Sequence, residues 1–191
     1  MMSGNGFSLK LNDFEFSNYN KFIVPNNNSV NLNIGIEIKS LEYFNQKAEK
    51  IKFNMILNEH WYDNHFTWSN TIDHIMVNDN LIWKPDLELY NAASSPEVYE
   101  NIHIKIYRDG FIRWNRPILY SFSCPLQLKD FPFDKQKCTM TFGSWKFSTD
   151  YVNINLVKGG NILQFRLKNP RKLDRKALNL LRNQEIQAII N

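Results

Sequence analysis

At 191 residues with 43% hydrophobic content, the chain is long enough for one domain with a full-sized core. Its net charge of +4 is mild, and Lys and Arg are scattered until residue 171, which argues against a nucleic-acid-binding footprint. No apolar stretch approaches the roughly 20 residues needed to cross a bilayer, and Met1-Met2-Ser3-Gly4-Asn5-Gly6 lacks the basic start and apolar run of a secretory signal.

Taken in order, residues 7–22 mix Phe, Leu, Asn and Tyr and predict a short helix ended by Phe22-Ile23-Val24-Pro25. Asn27-Asn28-Ser29 in the turn that follows matches a glycosylation acceptor at Asn27, a triplet that is also common by chance. Alternation then begins: Val30, Leu32, Ile34, Ile36 and Ile38 fall on one face of a strand. A second strand repeats the pattern with Ile51, Phe53, Met55 and Leu57 inward, and leaves Ile56 on the outward face. Trp61-Tyr62-Asp63 follows, then Trp83-Lys84-Pro85-Asp86, whose proline bends the chain before Leu87-Glu88-Leu89-Tyr90 resumes alternation. Ile102, Ile104 and Ile106 predict a further strand, and Asp109-Gly110 marks a tight hairpin. The return strand carries Phe111, Arg113 and Asn115 on one face, with Ile112 and Trp114 on the other. Met140 and Phe142, then Val152, Ile154 and Leu156, give two more strands. Short strands joined by turns, with no long helix between them, predict an all-β sandwich or barrel. After Pro170 the character changes: Leu173, Ala177, Leu180, Leu181, Gln184 and Ala188 fall near helical spacing, and a terminal helix is expected from about residue 171.

Enzyme chemistry finds little footing. The four histidines, His60, His65, His74 and His103, are joined by no cysteine or acidic group at metal spacing, and Gly159-Gly160 alone is a turn rather than a phosphate loop. No Gly-x-Ser-x-Gly elbow is present. Neither a catalytic residue nor a metal or cofactor is expected. The only two cysteines, Cys124 and Cys138, flank Phe131-Pro132-Phe133-Asp134. If they bond, they close a loop of about 15 residues and stabilise by roughly 3 kcal/mol. Two buried free thiols fit the cysteine count equally well. Tyr90 and Trp145 each end a strand beside a loop, where aromatic faces can hold an ammonium group by cation–π attraction. Core packing is the alternative for both rings.

Together these residues resemble a family. Cys124 and Cys138 with Phe-Pro-Phe-Asp between them are similar to the signature loop of the Cys-loop (pentameric ligand-gated) receptors, and in particular of nicotinic acetylcholine-receptor-like subunits. Trp61 with Asp63, Trp83, Pro85 and Asp86 with Tyr90-Asn91, and Gly143-Ser144-Trp145 stand in the family's order and spacing. The resemblance covers residues 8–156 and leaves 157–191 as a divergent tail.

The resemblance implies an immunoglobulin-like β-sandwich, the extracellular ligand-binding domain of a neurotransmitter-gated channel, after a short N-terminal helix. It implies a Cys124–Cys138 disulfide and five such domains in a ring with other subunits. The ligand, a quaternary ammonium or amine neurotransmitter, is then bound between neighbours. Tyr90 and Trp145 match the principal face, and Ile56, Arg113 and Asn115 fall on the complementary face. Ile56 stands where many members carry tryptophan. Phe131, Pro132, Phe133 and Asp134 match the tip that couples binding to gating. The location implied is the outer side of the plasma membrane, with membrane attachment through segments absent from this chain. There are departures: no adjacent cysteine pair and no tyrosine follow Tyr151. A soluble pore-less binding or decoy subunit, or a truncated non-functional isoform, therefore stands beside the channel-subunit reading. A hydrolase or lectin on an unrelated sandwich is the reading from a different class.

Overall fold

The computed structural model describes residues 16–69, 71–99, 102–126, 136–157, 166–167 and 186–190. Eleven strands run through them: β1 Val30–Asn45, β2 Lys50–Thr67, β3 His74–Asn78, β4 Leu87–Leu89, β5 Glu97–Val98, β6 His103–Tyr107, β7 Asp109–Ser123, β8 Gln136–Ser144, β9 Val152–Leu156, β10 Arg166–Leu167 and β11 Ile186–Ile190. A seven-stranded sheet has the order β3-β6-β7-β2-β1-β9, with β5 paired to β7. A four-stranded sheet is built on β8, which pairs with β4, β10 and β11. This is the expected all-β sandwich.

Alternation explains which sheet face is buried. Along β2, Ile51, Phe53, Met55, Leu57 and Trp61 are buried, while Lys52, Asn54, Ile56, Asn58 and His60 between them are half-exposed. A strand's side chains point to opposite faces in turn, so this period of two puts one row in the core and one on the surface. The two sheets meet through large rings: Tyr120 on β7 packs edge-on against Phe142 on β8, with centroids 5.7 Å apart. Cys124, just past β7, is bonded to Cys138 on β8, with Cα atoms 4.9 Å apart. The disulfide is thus a tie between the sheets, and both cysteines are fully buried.

The β6–β7 hairpin requires its glycine. Gly110 has φ +81°, and a Cβ there would lie 2.7 Å from the Asp63 carbonyl oxygen. Only glycine accepts both the backbone angle and the close approach. This carbonyl belongs to the Trp61-x-Asp63 motif, whose roles are structural. Trp61 is fully buried and meets Trp83 edge-on at 5.9 Å. The buried Asp63 carboxylate accepts a hydrogen bond from the Tyr19 hydroxyl at 2.8 Å and one from the His65 amide at 3.0 Å. Burial first, and then Asp63, holds the Tyr19 phenol well above its ordinary range.

The ends of the chain depart from expectation. Of the N-terminal helix expected at 7–22, residues 7–15 lie outside the described residues, and a single 3-10 turn occupies Phe16–Asn18. One helical turn, α1, spans Pro25–Asn28, so Asn27 lies within it and its side chain falls outside the described residues. The terminal helix expected from 171 is replaced at its end by β11, antiparallel to β8 from Ile186↔Met140 to Ile190↔Gln136. Three of its five residues are β-branched isoleucine, which loses side-chain freedom in a helix and suits a strand. Residues 171–185 of that expected helix lie outside the described residues.

Candidate functional site

Short β4 places the first aromatic. Its ladder to β8 runs Leu87↔Ser144, Glu88↔Gly143 and Leu89↔Phe142. Tyr90 follows, with its amide donating to the Thr141 carbonyl at 2.7 Å and its hydroxyl donating to the Ser144 carbonyl at 2.8 Å. The ring is therefore pinned at both ends over the turn that carries Trp145. The Trp145 ring stands edge-on to it, centroids 5.4 Å apart and planes at 74°. Trp145 keeps 51% of its surface exposed, in contrast to the buried Trp61 and Trp83. The structure thus separates the tryptophans: Trp61, Trp83 and Trp114 are core, and Trp145 is not.

Asp86 holds this turn. Its carboxylate accepts from the Ser144 hydroxyl and, at 2.6 Å, from the Lys146 amide, while Ser144 Oγ accepts from the Phe147 amide at 2.9 Å. Phe147 in turn packs on Trp83, and the buried Pro85 sets the bend between Trp83 and Asp86. So the Trp83-Lys84-Pro85-Asp86 stretch, read from sequence as a bend, braces the loop that presents Trp145. Ser144 stands in the Gly143-Ser144-Trp145 motif, but its bracing role was not legible in the sequence.

Asn91 joins the sheets beside this aromatic pair. Its Nδ2 donates to the Thr139 carbonyl at 2.7 Å, and its Oδ1 accepts from the Thr141 amide at 3.0 Å. The Ser123 amide donates to its carbonyl at 3.1 Å. One residue further, the Cys124 amide donates to the Glu49 carbonyl at 2.8 Å and the Leu126 amide to Glu49 Oε1 at 3.2 Å. The turn between β1 and β2 is therefore tied to the start of the disulfide loop. Phe131, Pro132, Phe133 and Asp134 lie outside the described residues.

Ile56, Arg113 and Asn115 share the outward face of the seven-stranded sheet. Ile56 lies opposite Pro117 on β7 and Glu37 on β1, Asn115 opposite Asn58, and Arg113 opposite His60 on one side and Lys105 on the other. Burial, and then the Arg113 guanidinium, hold the His60 imidazole below its ordinary value. The inward face of the same strands hides an ion pair: Arg116 Nε donates to Glu59 Oε2 at 2.6 Å, with the Glu59 side chain fully buried. Burial pushes the Glu59 carboxyl up to about 6 against the opposing pull of Arg116 and then Lys84. Arg116 and Lys84 both lie over the Trp114 ring, at 4.2 and 5.2 Å from its centroid.

What this arrangement offers is a rigidly braced, exposed aromatic pair, with no group of three or more metal-ligating side chains among the described residues. Residues 10–186 match the family of neurotransmitter-gated ion-channel ligand binding domains, which extends past the 8–156 carried by the motifs. The chain is 34% identical over 156 residues to acetylcholine receptor subunit beta-like 1 of Drosophila melanogaster, covering 78% of this chain and 30% of that protein. It is 31% identical over 173 residues to acetylcholine receptor subunit alpha-like of Manduca sexta, covering 85% of this chain and 34% of that protein. To the human neuronal acetylcholine receptor subunit alpha-4 it is 33% identical over 150 residues, covering 74% of this chain and 24% of the other. It thus spans between about a quarter and a third of the length of these curated relatives. With the sandwich, the inter-sheet disulfide and this match in agreement, the chain belongs to the neurotransmitter-gated ion-channel ligand binding domains, a family of receptor domains rather than of enzymes, and is nicotinic acetylcholine receptor-like within it.

Proposed function

We propose that this chain is the extracellular ligand-binding part of a nicotinic-type channel subunit, which takes a small ammonium or amine neurotransmitter such as acetylcholine between neighbouring subunits of a pentamer at the outer side of the plasma membrane. The observation that carries the reading is the Tyr90–Trp145 pair: two rings at 5.4 Å, one of them half-exposed, on a turn braced by Asp86. A ring left open to solvent on so fixed a turn suits a cation better than a core. Tyr90 and Trp145 follow strands of the smaller sheet, whereas Ile56, Arg113 and Asn115 lie on the outward face of the larger one. A ligand touched by both groups is therefore held between copies or subunits. Coupling runs from this site through the Cys124–Cys138 loop, with Phe131, Pro132, Phe133 and Asp134 as its tip and the Glu49 turn at its root. Among the described residues no helix is long and apolar enough to cross a membrane.

The test is a titration of the chain with choline, comparing wild type with Trp145→Ala. Loss of one cation–π contact of about 1–2 kcal/mol weakens binding on the order of tenfold. Equal binding by both proteins would show that Trp145 serves no cation.

A further inference from the structure

The ion pair on the inward face of the larger sheet is held at a single point. Arg116 Nε donates to Glu59 Oε2, while the buried Arg116 Nη2 and Glu59 Oε1 make no hydrogen bond among the described residues. A bidentate fork would lock this guanidinium, and one contact does not. Arg116 also shares the Trp114 ring with a second cation, at 4.2 Å from the centroid for Arg116 and 5.2 Å for Lys84. Two counter-charges keep them there: Glu59 for Arg116, and Asp79 for Lys84 at 2.6 Å. β1 adds no charge, since the residue opposite Glu59 is Ile34. Another acid lies across a cavity. Arg116 and Glu88 both line a space of about 430 Å³ between β4 and β7, together with Ile118 and Tyr120. Glu88 is exposed, and the Tyr120 phenol senses Arg116, Glu59 and Glu88 alike.

A proton on Glu59 removes one counter-charge and leaves two cations on one ring. A buried cation without a partner is costly, and Glu88 supplies a charge for it across the open space. β4 carries Glu88 two residues before Tyr90, on a ladder of only three residue pairs with β8. We propose that Arg116 is a switch arm, paired with Glu59 when that acid is ionised and turned to Glu88 when it is protonated, and that the turn draws β4 and Tyr90 away from Trp145. Arg116 is thus a positioning residue for the aromatic pair, with two discrete states that the proton on Glu59 selects. A cation held between the two rings favours the ionised acid in return.

NMR titration of the ligand-free chain between about pH 5 and 7.5 tests the switch on two protons, Arg116 Nε–H and the Trp145 indole N–H. In wild type both are expected to move together, with a midpoint at about 6. Glu59→Gln cannot take the proton, and Glu88→Gln, an exposed substitution, removes the second partner without opening the core. The Trp145 response is expected to vanish in each. Its persistence in either variant overturns the proposal, as does an Arg116 proton that moves while Trp145 does not. Choline gives a second readout, and this arm alone rests on the site reading above. Its affinity is expected to fall at least about threefold from about pH 7.5 to 5 in wild type and to stay level in both variants. A level wild-type affinity overturns control of the site by Arg116. Absence of choline binding at any pH, with both protons still titrating together, overturns the ammonium site and upholds the switch.

Discussion

A carboxylate sets the place of the exposed ring. Asp86 accepts two hydrogen bonds from the turn after β8, and hydrogen bonds to a charged acceptor contribute about 1.5–3 kcal/mol each. Asp86→Ala is therefore expected to destabilise the chain by about 3 kcal/mol and to shift Trp145 emission as the turn loosens; urea unfolding followed by fluorescence reads both. Unchanged stability would mean that the turn holds itself. The tryptophans give the complementary comparison. Trp61→Ala opens a hole in a fully buried site and is expected to cost about 3–5 kcal/mol. Trp145→Ala removes a half-exposed ring and should cost less than about 1.5 kcal/mol. A large loss at Trp145 would return it to the core. Sequence alone did not separate these residues, because a tryptophan side chain suits a core and a cation site alike; Trp61 lies within β2, whereas Trp145 follows the end of β8 on a turn that leaves its ring in solvent.

Strands with one wet face were legible, and elements chosen by distant partners were not. β1, β2 and β7 follow from alternation because each buries one row of side chains. The Asp109-Gly110 signal was correct in placing the hairpin, yet the reason for Gly110 lies in β2, at the Asp63 carbonyl. Gly110→Ala combines a left-handed φ with a 2.7 Å approach to backbone that cannot easily yield, so a loss of about 2 kcal/mol or more is expected in thermal unfolding. A neutral outcome would mean that β2 shifts freely beneath the hairpin. The acids buried on β2 were illegible for the same reason: Asp63 accepts from Tyr19, 44 positions away, and Glu59 is paired with Arg116, 57 positions away. The last residues of the tail differ for another reason. Apolar spacing near 3.6 suited a helix, but at Ile186–Ile190 the open edge of β8 supplied ladder bonds that a lone helix turn cannot match.

At the scale of the whole molecule, the sheets are held together by the Cys124–Cys138 bond, the Asn91 clasp and the Tyr120–Phe142 contact, and the Glu59–Arg116 pair is sealed on the inward side of the larger sheet. A sealed carboxyl makes global stability depend on pH. Glu59 titrates at about 6 in the fold, above its ordinary value of 4.5, so between these values the folded chain holds a proton that the unfolded chain has released. The stabilisation is complete below about pH 4.5 and is lost as pH rises through about 6. A shift of roughly 1.5 units corresponds to about 2 kcal/mol. Glu59→Gln keeps an acceptor for Arg116 but cannot titrate. Urea unfolding of both proteins between pH 4.5 and 7.5 should therefore show wild type losing about 2 kcal/mol relative to the variant across that interval. The other carboxylates move both proteins alike, so the difference isolates this one group. A constant difference would mean that Glu59 is ionised throughout, with Arg116 overcoming the cost of burial; a difference that grows with pH in favour of wild type would reverse the sign of the coupling.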